Sequence, residues 1–388
     1  MQTEQSDVKH RWGKWNLTIA IVLSLWMVVS NSRFLIEKAV NEQSAWNTGD
    51  WLIDYSGGLI RRGFLGELVG LVTSSGEQAV VLVTALQIAS LVIVAATAIV
   101  LFASTNRSPG WLMLVMSPAF LLFPLFNEEG AVRKEILVIL AVALFAVIVR
   151  FLLPSWLVAF PLTIFSIGSL SHEAVALCAF AFVGFAWLAH RHGKISLPVR
   201  NITVSILSLA GITGIVIPLL FPGTLDQQEA ICTSFKLNGL PYLCEGPLTF
   251  MNDSFTTAVG EVVALFPGYL TYLTPLILSL VPFYILRVPK QVVLLFVLTY
   301  VTLAPLFVTG VDFGRWIYLA TAIMSFVLLG IGNSLKLAER EVPRLVALGF
   351  IALWSMPYTG TPNMDSLLTE ILRGPITLVF ESLARFKP

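Results

Sequence analysis

The chain has 388 residues, is 56% hydrophobic and 12% charged, and has a mean hydropathy of +0.84. That is too apolar for a soluble domain of this size and marks an integral membrane protein. A net charge of +1 averages a basic inner face and an acidic outer one and says nothing about nucleic acid, while the absence of a Walker loop, a GxGxxG, HExxH or GxSxG pattern and a CxxC metal site argues against nucleotide chemistry.

Eleven apolar segments approach the length needed to cross a bilayer core of about 30 Å. They cover 15–33, 79–103, 110–126, 135–153, 155–171, 173–189, 201–222, 263–286, 290–309, 313–332 and 342–357. The expected fold is a single all-α polytopic membrane domain over 1–388. The first stretch has a small-x-small pattern at Ser30-Asn31-Ser32. It reads as a retained helix rather than a signal peptide, because the apolar run continues through Phe34-Leu35-Ile36.

With the N-terminus inside, the short connections carrying Arg107, Arg150, Arg191, Lys194, Arg200, Arg287, Lys290, Lys336, Arg340 and Arg344 fall on the inner face, as the positive-inside rule expects. Inner acids are then limited to Glu4, Asp7, Glu339 and Glu341, and the C-terminus lies outside.

The first outer loop, 34–78, exceeds what a connector needs and carries Asp50, Asp54, Tyr55, Ser56-Gly57-Gly58, Arg61, Arg62 and Glu67. The Ser-Gly-Gly turn can aim backbone amides into one concavity, and Leu59 to Leu71 reads as an amphipathic helix after it. Amides at such a helix start, with Arg61 and Arg62 one turn on, suit a phosphate or pyrophosphate. Asp50 and Asp54 can supply a base or hold a metal. The competing reading is an interfacial helix whose arginines snorkel to headgroups; Asp50, Asp54 and Glu67 speak against it, since acids gain nothing there.

Asn127-Glu128-Glu129-Gly130-Ala131-Val132-Arg133-Lys134-Glu135 concentrates ionisable groups in a short outer connector, or else forms a solvated turn with local ion pairs. Ser171-His172-Glu173 interrupts the apolar run from Leu152 to Leu188, where such a pair is expensive unless it meets a polar cavity or the surface. It offers an acid/base pair, a hydroxyl-binding pair or metal ligands; a plain polar turn is the alternative. Asp312 reads as an N-cap, and Arg315 follows near the positive end of the helix dipole, which implies an anion to meet it unless the two form a local ion pair.

Cys232 and Cys244 lie in the outer segment 223–262 and are expected to form a disulfide worth about 3 kcal/mol, making that segment a stapled lid. Cys178 reads as a small core residue. The tail, 358–388, reads as amphipathic and outer. Taken together, four separated segments place ionisable groups at one membrane level, which predicts a water-accessible cavity rich in arginine and carboxylate.

On these features the chain resembles the polytopic glycosyltransferases and polymerases of bacterial surface-polysaccharide assembly, which include O-antigen-type polymerases and glycosyltransferases of the GT-C fold. The residues that carry the resemblance are Asp50 and Asp54, the run from Asp54 to Glu67, Arg133-Lys134-Glu135, His172-Glu173 and Asp312 to Arg315. It implies a bacterial inner-membrane enzyme whose site faces the exterior and whose partner is a polyprenyl-phosphate-linked sugar. Arg61, Arg62, Arg133, Lys134 and Arg315 would hold the lipid phosphate, while Asp50, Tyr55, Glu67, Glu128 and Asp312 would contact sugar. Asp54 first and Glu173 second would act as base, with His172 orienting. No cofactor is required on this reading; a divalent cation, Mg or Mn, on Asp50 and Asp54 is the open alternative. A transporter or flippase of a lipid-linked or anionic substrate is the competing class.

Overall fold

The computed structural model describes residues 2–251, 255–269, 272–335 and 337–356. The chain is 78% helical, with no strand among the described residues. Its helices are α1 (Gln2–Val40), α2 (Phe64–Val72), α3 (Gly76–Ala103), α4 (Pro109–Val115), α5 (Ile136–Phe151), α6 (Ala159–Ser171), α7 (Glu173–Leu177), α8 (Ala179–Arg191), α9 (Leu197–Leu220), α10 (Leu225–Leu237), α11 (Phe255–Tyr269), α12 (Leu273–Ile285), α13 (Lys290–Thr309), α14 (Phe313–Ile331) and α15 (Arg344–Ala352).

Their starts follow local chemistry. Ser75 caps α3 by accepting from the Gln78 amide at 3.3 Å, and Ser108 does the same for α4 ahead of Pro109, each satisfying a donor the helix leaves open. Thr224 and Gln227 form a reciprocal capping box on α10.

Among the described residues, six helices are long and apolar enough to cross a membrane: Trp12–Val40, Gly76–Ala103, Glu173–Arg191, Leu197–Leu220, Lys290–Thr309 and Phe313–Leu335. The last is 89% buried along its apolar window, whereas Trp12–Val40 and Leu197–Leu220 are each 28% buried. The bundle therefore has a protein-enclosed centre, α14 with α5, ringed by helices that present apolar side chains outward. Apolar surface gains little by leaving lipid, so the centre depends on close packing. Gly330 illustrates this: a Cβ there would lie 2.8 Å from the Phe185 ring and 3.3 Å from the Ala146 Cα. Phe145 meets Phe182 and Phe185 edge-on, and Phe123 stacks on Tyr318 at 4.1 Å.

Three expected spans look different in the structure. The 110–126 segment is not one helix: α4 ends at Val115, turns follow through Ser117-Pro118, and helix resumes only over Phe123–Phe126. Proline removes an amide donor and disfavours helix in the residue before it. Every residue from Gly110 to Leu125 is buried, which is where irregular backbone at membrane depth is tolerated. The 263–286 segment is divided between α11 and α12. In 342–357, helix covers only Arg344–Ala352. The first connector is also shorter than 34–78, because α1 runs to Val40 and α3 starts at Gly76. The expected tail, 358–388, lies outside the described residues.

Candidate functional site

The segment after α1 forms a π-helical turn, Ala45–Gly49, and a single helical turn, Asp50–Leu52. Two side chains pin it to the connector before α5. Trp51 Nε1 donates to the Val132 carbonyl at 3.2 Å, and Gln87 Nε2, from the middle of α3, donates to the carbonyls of both Asn47 (3.0 Å) and Val132 (3.2 Å). This puts Asp50 against Arg133-Lys134-Glu135. The α6–α7 break brings His172-Glu173 to the same place, and the start of α14 brings Asp312 and Arg315. Four distant segments thus build one cluster.

Within it, the Arg62 guanidinium forks both Glu173 oxygens, with Nε 3.1 and 3.0 Å away. Arg62 itself has φ +67°, a left-handed conformation unusual for a non-glycine residue, and its carbonyl accepts from Lys134 Nζ at 2.7 Å. Arg315 binds Asp312 at 2.5 Å and lies 3.5 Å from Glu135. Arg133 lies 4.0 Å from Asp50 and 3.9 Å from Asp312, with its guanidinium 5.6 Å from the Trp46 ring. His172 Nδ1 accepts from the Ala174 amide at 3.1 Å, so Nε2 carries the proton, 3.6 Å from Glu135.

Burial is nearly complete: Asp50 and Lys134 are 0% exposed, and Glu135, His172, Arg133 and Arg315 no more than 4%. The side chains of Arg62, Glu173 and Asp312 are more open, at 17%, 22% and 16%. The expected water-accessible cavity is therefore a closed ionic cluster with an open edge. Burial opposes ionisation of Asp50, but Lys134, Arg133, His172 and Arg62 together outweigh it and hold its carboxyl below the ordinary range. Burial likewise works against Glu135, and Arg315 and His172 lower it overall. Burial brings Lys134 down to about 8 and His172 down to about 4, which leaves the imidazole neutral near pH 7.

Four cations (Arg62, Arg133, Lys134, Arg315) and four carboxylates (Asp50, Glu135, Glu173, Asp312) balance formally. Their hydrogen bonding is not balanced. Among the described residues, no hydrogen-bond donor reaches either oxygen of Asp50 or of Glu135, all four of which are buried, an arrangement that costs free energy until donors arrive.

Several expected site residues are engaged elsewhere. Asp54 Oδ1 accepts from the Ser56 amide (3.0 Å) and hydroxyl (2.6 Å) in a local turn. Gly58 N bonds the Tyr55 carbonyl, and the helix begins at Phe64 rather than Leu59; the anticipated amide nest at a helix start, with arginines one turn on, does not form. Arg61 donates to the carbonyls of Phe250 (2.8 Å) and Met251 (3.1 Å). Glu67 accepts from the Tyr55 amide at 3.4 Å, and Glu128 is half-buried in the short helix Glu128–Ala131. Asp312 precedes α14 but makes no side-chain cap bond, its carboxylate being turned to the arginines.

Glu135 is the cluster residue to which sequence reasoning assigned no role. Its signal was present: a carboxylate immediately before a helix, α5, that contains no acid. Among the described residues no three His, Cys, Asp or Glu side chains group to share a metal ion; Asp50 and Asp54 are held by different partners.

Cys232 and Cys244 are bonded, S–S 2.06 Å, and the segment they staple rests on the first loop. Gln227 donates to the Leu59 carbonyl, and Phe250 meets Trp46 at 5.6 Å. A groove of about 300 Å³ lies between Phe64 and helices α6 and α9, lined by Leu162, Ser166, Leu170 and Ile206. Phe64 and Leu170 are each two residues from the cluster, next to Arg62 and His172.

No curated protein and no solved structure matches the chain. A family model described as "Uncharacterised membrane protein Rv1490" matches residues 16–240, more than half of the chain, and takes in every cluster residue except Asp312 and Arg315. The chain belongs to that membrane protein family.

Proposed function

We propose that the protein is a membrane glycosyltransferase or polysaccharide polymerase that uses a polyprenyl-(pyro)phosphate-linked sugar at the outer face of the bacterial inner membrane, with the N-terminus inside. The observation that carries this reading is the pair of buried carboxylates, Asp50 and Glu135, whose four oxygens have no hydrogen-bond donor among the described residues although four cations surround them. Sugar hydroxyls are donors of the kind those oxygens need, and arginines beside them suit a phosphate. Trp46, next to Arg133, gives a sugar ring a stacking face. The groove beside Phe64 and Leu170 suits the first isoprene units of the lipid.

In the proposed reaction the bond between the anomeric carbon and the lipid phosphate oxygen breaks, and that oxygen keeps the electron pair. Arg133, Arg315 and Lys134 stabilise the charge that develops on it. The acceptor hydroxyl oxygen bonds to the anomeric carbon, and its proton passes to Asp50. Glu135, flanked by neutral His172 and Arg315, holds a hydroxyl of the sugar. Asp50 takes the role first expected of Asp54, because the Asp54 carboxylate is occupied by Ser56. No cofactor is invoked.

A second reading, transport of an anionic or lipid-linked substrate, draws support from the broken 110–126 segment, since discontinuous helices line many transport sites.

Sealed right-side-out membrane vesicles, supplied externally with a short-chain polyprenyl-phosphate sugar, separate these readings. The expected result is glycan product from the wild type and from Asp54→Asn, and none from a well-folded Asp50→Asn. Full product from an Asp50→Asn/Glu135→Gln double variant would overturn the enzymatic reading. Product only in inverted vesicles would overturn the orientation, and uptake of intact donor without transfer would favour transport.

A further inference from the structure

The opposite end of the helix pair α7–α8 carries a different feature. The 19-residue span Glu173–Arg191 is about 27 Å long at 1.5 Å per residue, close to the thickness of a bilayer core. Glu173 at one end belongs to the ionic cluster; Arg191 therefore stands at the other membrane boundary. There a cavity of about 490 Å³ lies between α8, α9 and α13. Its walls are apolar, with Phe180, Val183, Leu294 and Leu298 among them, and its lining also includes Arg200, Asn201 and Gln291, all within five residues of the start of α9 or α13. Phe180, Trp187 and Leu294 are 44%, 45% and 58% exposed on the outside of the bundle, so the cavity opens sideways. Gly184 fixes its shape: a Cβ there would lie 2.3 Å from Leu295 Cδ1, so α8 and α13 meet closely beside it.

The charge beside the cavity is basic. Arg200 lines the cavity, and Arg191, Lys194, Arg287 and Lys290 lie in the adjoining helix ends and connectors. The sequence holds no acid between Glu173 and Asp226 or between Glu261 and Asp312; Glu339, on the same face, is held by Ser108 and Gly110 at the start of α4. Among the described residues none of the five forms an ion pair; Arg200 donates to Asn201 Oδ1 at 3.1 and 2.7 Å, and Arg191 lies 5.2 Å from the Trp187 ring. Arg191, Arg287 and Lys290 are exposed and Lys194 and Arg200 half-buried, so headgroup phosphates can reach them. A laterally open apolar cavity with a cationic mouth at one membrane boundary matches an anionic phospholipid: acyl chain along the helices, phosphate at the mouth.

We propose that this cavity is a binding site for an anionic phospholipid of the leaflet opposite the ionic cluster, with Arg200 holding the headgroup and Leu298 packing on the acyl chain. The proposal does not depend on the catalytic reading.

The test is native mass spectrometry of the purified full-length protein, incubated in mild detergent with equal amounts of phosphatidylglycerol and phosphatidylcholine carrying the same acyl chains. The wild type should retain phosphatidylglycerol several-fold in excess. Arg200→Gln should cut that preference about fivefold, the effect of one basic charge near an anionic headgroup. Arg340→Gln, a basic residue on the same face but outside the cavity, should leave it intact. Leu298→Trp, which fills the cavity, should reduce retention of both lipids. Equal retention of the two lipids by the wild type overturns the proposal, as does a preference that Arg340→Gln weakens as much as Arg200→Gln. Unchanged retention in Leu298→Trp would remove the cavity from it.

Discussion

The two ends of the span Glu173–Arg191 handle charge in opposite ways. At the Glu173 end, four cations meet four carboxylates drawn from distant parts of the chain, and five of the eight are buried. At the Arg191 end, five cations lie within short connectors and helix ends, with no acid between Glu173 and Asp226 or between Glu261 and Asp312. An exposed cation at a membrane boundary costs little, because water and headgroups solvate it. A buried one must find its partner within the protein. The first kind of end is built by local sequence, the second only by tertiary convergence.

The comparison sharpens most under loss of one buried partner. Arg62→Ala leaves Glu173 without its fork and should destabilise the protein by about 3 kcal/mol. The Arg62→Ala/Glu173→Ala double variant should recover part of that loss. Arg191→Ala, at the other end, should change stability by less than about 0.5 kcal/mol. Thermal unfolding in detergent reads all three, and equal effects at the two ends would break the distinction.

A smaller effect, confined to acid pH, isolates His172. Its pKa is lowered to about 4 in the fold against an ordinary 6.5, so the unfolded chain binds the extra proton first. Stability is full above about pH 6.5 and falls as pH drops towards 4, by at most about 3 kcal/mol for the single group. In this window the difference between wild type and His172→Gln should shrink as pH falls; parallel stability curves would show that the imidazole is already charged in the fold.

Part of this arrangement was legible in the sequence. Arg133, Lys134, His172, Glu173 and Arg315 could be gathered from the cost of charge near apolar helices alone, and the disulfide from two cysteines in one polar segment. The distinction between Asp50 and Asp54 could not. Both stand in the same polar loop, and only the placement of Trp51 and Gln87 on the Val132 carbonyl buries one, while Ser56 two residues on captures the other. Gln87 itself, a side-chain amide in the apolar interior of the 28-residue helix α3, was a readable hint of that anchor. The broken 110–126 segment was hidden for another reason: hydropathy scores the side chains, whereas the break is a matter of backbone at Ser117-Pro118 enclosed by protein on all sides. The closure of the cluster was equally out of reach, since membrane level says where charges sit along the normal and nothing about how tightly they pack.

The central claim is that the ionic cluster is where the lipid-linked substrate binds. Electron cryomicroscopy of the protein in nanodiscs with a non-hydrolysable polyprenyl-phosphate sugar tests it most directly. The account predicts density for the sugar within hydrogen-bond reach of Asp50 and Glu135, the phosphate against Arg133 or Arg315, and the first isoprene units in the groove beside Phe64 and Leu170. Density for the analogue elsewhere, with the Asp50 and Glu135 oxygens still without donors, would contradict it.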